Sequence, residues 1–193
     1  MEKAIADGCE GIMVKDINGT YRAGAREFSW IKLKREYQSE LKDSLDLVII
    51  GAFHGLGRRA GKYGAFLLAA YDKASDTFKS ISKIGSGFTD KDLDEIPKIL
   101  EPYKINHIHA RVESNIEADT WFIPAIILEV IASEITISPI HTCCMDFIRK
   151  GSGLALRFPK YNGRLREDKA PEDATTEEEI YKIYNAQLKK IEK

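Results

Sequence analysis

Cysteine is scarce in this chain of 193 residues, with three at positions 9, 143 and 144. That excludes a disulfide framework, since Cys143 and Cys144 are adjacent and bridge each other only with strain. Reduced thiols and an intracellular setting follow as the expectation. His141 lies two residues before the pair, but one His and two neighbouring Cys lack the ligand spacing of a zinc site. Asparagine and glutamine are also few, five and two, which is compatible with a thermophilic source. No apolar run reaches the roughly 20 residues that cross a bilayer, and Met1-Glu2-Lys3 opens no signal peptide. Net charge is almost absent at −1, which excludes a protein coated in one sign. The four histidines stand apart in sequence, near no Ser or Cys at triad spacing, and read as core or surface residues. Repeats and low-complexity segments are missing as well.

What is present is uneven. Hydrophobic residues make up 44%, ample for a core. Between Arg149 and Lys169 seven Lys/Arg face two acids, whereas from Ala170 onward four lysines face six acids. A basic stripe in a neutral protein points to a localised phosphate-binding face. Its centre, Leu156–Lys169, gathers five cations, the aromatic Phe158 and an acidic pair on a strand-like segment. Fixed cations suit phosphates, and an aromatic can wedge or stack against a base or sugar.

Residues 1–8 read as the end of a helix, with Gly8 where a terminal glycine belongs. Cys9–Lys15 and Phe28–Lys34 alternate as strands, and Asn18-Gly19 signals a turn between them. About forty residues are too few to hold a core of their own, so this opening looks like the tail of a larger domain. Glu36–Ser44 is polar and reads as a linker. Strands are expected at Leu45–Phe53, Ala65–Tyr71 and Phe78–Ile84, the first followed by the glycine-rich basic loop Gly55–Gly64. Thr89 caps a helix over Asp90–Leu100, with Asp90 and Asp92 in its first turn. Further strands are expected at His109–Glu113, Ile126–Ile137 and Gly153–Phe158, although Ile126–Ile131 alone could be helical. Trp121 and Phe122 are expected to plug a barrel. Thr176–Lys193 reads as an amphipathic helix with Ile180, Ile183, Tyr184 and Leu188 on one face. Strands, a helix, then more strands is the order of an OB-fold, a small Greek-key barrel. The fold class is therefore mainly β with helices, residues 43–193 forming the barrel and residues 1–42 the last strands of another domain.

Two N-terminal segments carry chemistry of their own. In Trp30–Lys34, Trp30, Lys32 and Lys34 share one strand face while Ile31 and Leu33 are expected to point into a core. Two ammonium groups roughly 7 Å apart suit neighbouring phosphates, though a solvated edge strand carries lysines for other reasons. In Glu10–Lys15 the carboxylate suits Mg²⁺ or ribose hydroxyls and the lysine an α-phosphate.

Glu10–Lys15, Trp30–Lys34 and Leu156–Lys169, in this order and at these distances, resemble motifs IV, V and VI of ATP-dependent DNA ligases, most closely the archaeal and eukaryotic replicative type. The resemblance covers nearly the whole chain and implies an adenylation domain ending near residue 42, followed by a DNA-binding OB-fold. It implies that Glu10 helps hold the metal, Mg²⁺, and that Lys15 contacts the AMP phosphate. Lys32 and Lys34 become the two motif V lysines, Arg26 lines the ATP site, and Arg166 and Lys169 orient the ATP pyrophosphate around Asp168. Phe158 becomes the aromatic pressed into the minor groove at a nick, with Arg157 and Lys160 beside it, and Arg58, Arg59 and Lys62 a basic loop on the DNA backbone. The partners implied are nicked duplex DNA, ATP and AMP. A sliding clamp would reach the enzyme through a region N-terminal to this chain. The implied location is the cytoplasm or nucleoid of an archaeon, or a eukaryotic nucleus. The family's nucleophile is a lysine in a Lys-x-Asp-Gly segment, and no such segment occurs here. The chain is expected to be inactive alone. An mRNA-capping guanylyltransferase, or an OB-fold nucleic-acid-binding module without catalysis, are the alternatives.

Overall fold

A computed structural model describes residues 1, 3–4, 9, 11–25, 28–34, 41 and 43–188, with only the backbone described at Lys34, Arg58 and Leu188. Glu10, Arg26, the expected helix end at 5–8, most of the linker and residues 189–193 lie outside the described residues. The chain divides into two compact units, residues 1–40 and 41–193.

In the first unit β1 (Gly11–Lys15) and β2 (Trp30–Lys34) pair antiparallel, with Ile12 opposite Leu33, Met13 opposite Lys32, Val14 opposite Ile31 and Lys15 opposite Trp30. Asp16 extends the pairing by donating its N–H to Ser29 O, and its carboxylate accepts the Asn18 N–H at 3.0 Å, closing an Asx turn.

In the second unit β3 (Leu45–His54), β4 (Tyr63–Asp72) and β5 (Thr77–Ile84) form an antiparallel meander. Their sequences are apolar on both faces because each face meets a different core. Leu45, Leu47 and Ile49 enter the main core, with Phe66, Leu68 and Ile81, whereas Val48 and Ile50 join Leu67, Tyr71 and Phe78 in a second cluster on the other side. A register shift between Ile49 and Gly51 reverses the alternation, so Ala52 returns to the main core.

Thr89 and Asp92 form a reciprocal capping box for α1 (Asp90–Leu100), whose Ile96 and Leu100 reach the main core. The short strands β6 (Lys104–Ile105), β7 (Val112–Glu113) and β8 (Thr120–Phe122) lie beside β3 and β5. Only Phe122 joins the barrel core. Trp121 lies in the outer cluster instead, because neighbours on a strand face opposite ways.

The expected strand over Ile126–Ile137 is two strands, β9 (Ile127–Ile131) and β10 (Glu134–Ser138), separated at Ala132-Ser133, where the Ser133 N–H turns to Arg157 O. Helix is excluded for Ile127–Ile131. β10 pairs with β11 (Gly153–Arg157), and β12 (Lys160–Leu165) pairs with β9, which itself pairs with β3. The sheet curls in the order β12, β9, β3, β4, β5 until the Tyr161 N–H on β12 donates to Ser86 O just beyond β5, at 3.0 Å. Gly87 makes that closure possible: its φ is +90°, and a Cβ there would stand 2.4 Å from Tyr161 O. Phe88 then stacks on Tyr161 at 4.8 Å.

Thr176 and Glu179 cap α2 (Glu177–Leu188), which buries Ile180 and Tyr184 in the main core. The Gln187 amide pairs with both the N–H and the C=O of Ile135, as a strand neighbour would. Among the described residues no helix is long and apolar enough to cross a membrane. Among the described residues the second unit has the mainly β architecture expected, a curled barrel sheet with two α-helices.

Candidate functional site

Each unit carries candidate groups. On the β1–β2 pair, residues directly opposite share a face. One face carries Met13, Lys15, Trp30 and Lys32, with the backbone of Lys34 at the next position; the other carries only Ile12, Val14, Ile31 and Leu33. Lys15 Nζ stands 4.2 Å over the Trp30 ring, and the Tyr21 ring lies 5.7 Å from it. Tyr21, Arg22, Phe28, Trp30 and Lys32 help line an open groove of about 730 Å³. An aromatic floor with ammonium groups at its rim can hold a planar base and neutralise phosphate. Ile31 and Leu33 were expected in a core. They are instead 45% and 40% exposed, because the two-stranded sheet has no second layer among the described residues.

On the barrel, Arg166 and Lys169 follow β12. Arg166 donates from Nη1 to Asp46 Oδ2 at 2.9 Å, and from Nε and Nη2 to the two oxygens of Asp168 at 2.9 and 2.8 Å. Lys169 Nζ reaches the same Asp46 Oδ2 at 2.7 Å. The Asp168 hydrogen bonds hold the Arg166 guanidinium above its ordinary range, and Arg166 in turn holds the Asp168 carboxyl well below its own. Asp46 is the residue that sequence reasoning missed. Its signal was there: a single carboxylate inside Leu45–Ile50 must find a partner, because a buried charge left alone costs several kcal/mol.

β11 ends at Arg157, and Phe158 has φ +51°, a left-handed conformation rare for a bulky side chain. That corner presents its ring 46% exposed, with the Arg157 guanidinium 5.3 Å from the ring centroid and 3.4 Å from Glu134. Lys160, exposed, opens β12.

In the Gly55–Gly64 loop, Arg59 is half-buried. Its Nη1 donates to Gly64 O at 2.9 Å and Gly85 O at 2.8 Å, pinning the loop to the end of β5. Gly55 lies so close that a Cβ would fall 2.2 Å from Arg59 O. Lys62 pairs with Asp94 on α1, both partners exposed, an arrangement weak enough to exchange for phosphate. Leu56 stands 91% exposed beside them.

A buried polar network lies elsewhere in the barrel. Lys79 Nζ bridges Asp72 at 2.8 Å and Glu177 at 3.2 Å, and Glu177 also accepts the Cys144 N–H. Burial works to raise the Asp72 carboxyl, but hydrogen bonds from Lys79, Ser75 and the Ala74 N–H outweigh it and hold it down at about 2. Burial raises Glu177, and pushes His141 down to about 4. Cys143, Cys144 and Glu177 bring three ligand-type atoms within 4.8 Å. Both Glu177 oxygens are already engaged and burial pushes the Cys143 thiol up, so the geometry fits packed neutral thiols better than a metal centre.

The family described as "ATP dependent DNA ligase C terminal region" matches residues 59–169, and "ATP dependent DNA ligase domain" matches residues 1–34. "DNA ligase 2" of Thermofilum pendens is 55% identical over 190 residues, covering 97% of this chain and 32% of that protein. The "DNA ligase" of Caldivirga maquilingensis is 55% identical over 188 residues, covering 96% and 31%. The chain thus spans about a third of the length of the curated relatives it matches. Among solved structures, the ligase domain from M. tuberculosis LigD superposes with a TM-score of 0.51 at 24% identity, over 87% of this chain and 48% of that one. That likeness is one of fold.

Proposed function

The chain belongs to the ATP-dependent DNA ligases, and from that premise we propose that it forms the C-terminal part of an enzyme sealing nicks in duplex DNA. Residues 1–42 complete the adenylation domain and residues 43–193 form the OB-fold DNA-binding domain. The whole enzyme works in three steps: a lysine attacks ATP to give lysyl-AMP, AMP passes to the 5′-phosphate at the nick, and the 3′-hydroxyl displaces AMP. All three steps are governed by positioning and charge neutralisation.

The observation that carries this reading is the single face on which antiparallel register gathers Lys15, Trp30 and Lys32. Lys15 and Lys32, with Lys34 next in register, neutralise the phosphate of AMP, and Trp30 holds Lys15 in place. Glu10 would offer a hard carboxylate oxygen to Mg²⁺, whose charge would offset the triphosphate's, and Arg26 would line the same site. Both assignments rest on donor chemistry and the family motif. Arg166 and Lys169 act on the pyrophosphate of ATP in the first step. Phe158, Arg157, Lys160, Arg58, Arg59 and Lys62 act on DNA, and Arg59 also shapes the loop that carries three of them. For one barrel to serve both ATP and the nick, it turns about a hinge near Asp43 between steps. The sliding clamp expected to recruit the enzyme through a region outside these residues is part of the same proposal.

The test is mass spectrometry of the full-length gene product after incubation with ATP or GTP. Covalent AMP is expected on the full-length protein and none on residues 1–193, which contain no Lys-x-Asp-Gly segment. Covalent GMP would favour a capping guanylyltransferase, and no adduct at all a binding module. An adduct on residues 1–193 would overturn the assignment of the nucleophile to the remainder of the protein.

A further inference from the structure

Arg166 is held by two acids that differ in kind. Asp168 is exposed, in the turn after β12. Asp46 stands in β3, its side chain 12% exposed, with Oδ2 shared between Arg166 and Lys169 and Oδ1 buried without a hydrogen-bond partner among the described residues. If both cations left Asp46 to reach a ligand, a buried carboxylate would remain without a counter-charge, an arrangement folded proteins avoid. They therefore keep it while they work. Arg166 has N–H donors beyond the three engaged, and Lys169 has donors beyond its one. Their side chains are 16% and 31% exposed, so part of each remains open to solvent.

We infer that Asp46 is a positioning residue for the triphosphate: one buried oxygen fixes Arg166 and Lys169 relative to each other, so that their remaining donors meet phosphate oxygens as a pre-set pair. A long lysine and a long arginine otherwise sample many rotamers, and ordering them separately on a ligand weakens binding and misplaces the reacting phosphate. The formal charges of Arg166, Lys169, Asp46 and Asp168 sum to zero, so the cluster acts through directed donors at short range rather than through a long-range field. The inference rests on the reading above, in which both cations act on ATP, and deepens it with a residue outside the C-terminal motif.

The experiment uses the full-length ligase and two rates: formation of enzyme–AMP from ATP, and sealing of a nick that already carries 5′-AMP. Both are normalised to the protein active in sealing, which removes misfolded molecules from the count. Asp46→Asn keeps the shape and removes the charge. The ratio of adenylylation to sealing is expected to fall roughly ten- to a hundredfold, the size of effect that misplacing reacting groups produces, mainly in kcat. Asp46→Glu keeps the charge, and with it the folded barrel, but moves the shared oxygen; its ratio is expected to fall as well, by less. A wild-type ratio in either variant, or equal loss of both rates, would overturn the inference. Arg166→Ala separates this from the underlying reading. If that variant adenylylates normally, the triphosphate role of the motif fails; if it is defective while the Asp46 variants are not, only the role of Asp46 fails.

Discussion

The two units hold their cations by opposite means. In the hairpin, Lys15 rests on the Trp30 ring and Lys32 stands in an open groove, while the aliphatic face behind them has no cover among the described residues. In the barrel, Arg166 and Lys169 are tied to carboxylates, one buried in β3, and two apolar clusters pack the sheet from both sides. The hairpin has chemistry without a scaffold of its own; the barrel brings its scaffold with it.

Stability should divide the two units most sharply. In residues 1–193, Phe66→Ala empties the middle of the barrel core and is expected to cost about 3–5 kcal/mol, read as a lower Tm. Ile31→Ala, on the uncovered face, is expected to stay within about 0.5 kcal/mol. In the full-length ligase, where the rest of the adenylation domain would cover that face, the cost of Ile31→Ala should rise to about 2 kcal/mol or more. Equal losses from the two substitutions in residues 1–193 would break the comparison.

A smaller effect is expected with pH. His141 is buried, Nδ1 has no hydrogen-bond partner among the described residues, and burial pushes its pKa from 6.5 to about 4. Between those values the unfolded chain binds the proton and the barrel does not. Stability conferred by neutral His141 is therefore full above pH 6.5 and is lost as pH falls toward 4, by at most about 3 kcal/mol. Glu177, raised by burial, titrates in the opposite sense, favouring the fold as pH falls through its folded value. His141→Gln isolates the histidine: melting curves between pH 6.5 and 4 should lose most of their slope. An unchanged slope would assign it to other groups.

Much of this was legible in residues close together in sequence. Thr89 with Asp90 and Asp92 marks the start of α1, and the apolar runs at Leu45, Ala65 and Phe78 mark β3, β4 and β5, because capping and strand patterns are local. What was missed depends on distant partners. Asp46 and Arg166 are separated by 120 positions, so the sequence shows a carboxylate needing a partner without showing which. Arg59 reads as one more cation of a basic loop until the fold brings Gly85 O to it. β6, β8 and β12 are short or irregular and exist through their neighbours, while Ala132-Ser133 breaks an apolar run that no glycine or proline interrupts. Alternation placed Ile31 and Leu33 together on one face, but alternation alone does not say whether a face is covered, and among the described residues this one is not.

The most direct test of the account is a step-resolved comparison of Phe158→Ala and Arg166→Ala in the full-length ligase. The two residues lie on one segment and are assigned to different substrates. A phenyl ring offers a triphosphate nothing, but wedged in the minor groove it can hold the 3′-hydroxyl end in line. Phe158→Ala should form enzyme–AMP at the wild-type rate and seal a pre-adenylylated nick on the order of a hundredfold more slowly. Arg166→Ala should show the reverse order of defects. If Phe158→Ala loses adenylylation, or Arg166→Ala keeps it, the segment does not divide its work between nucleotide and DNA.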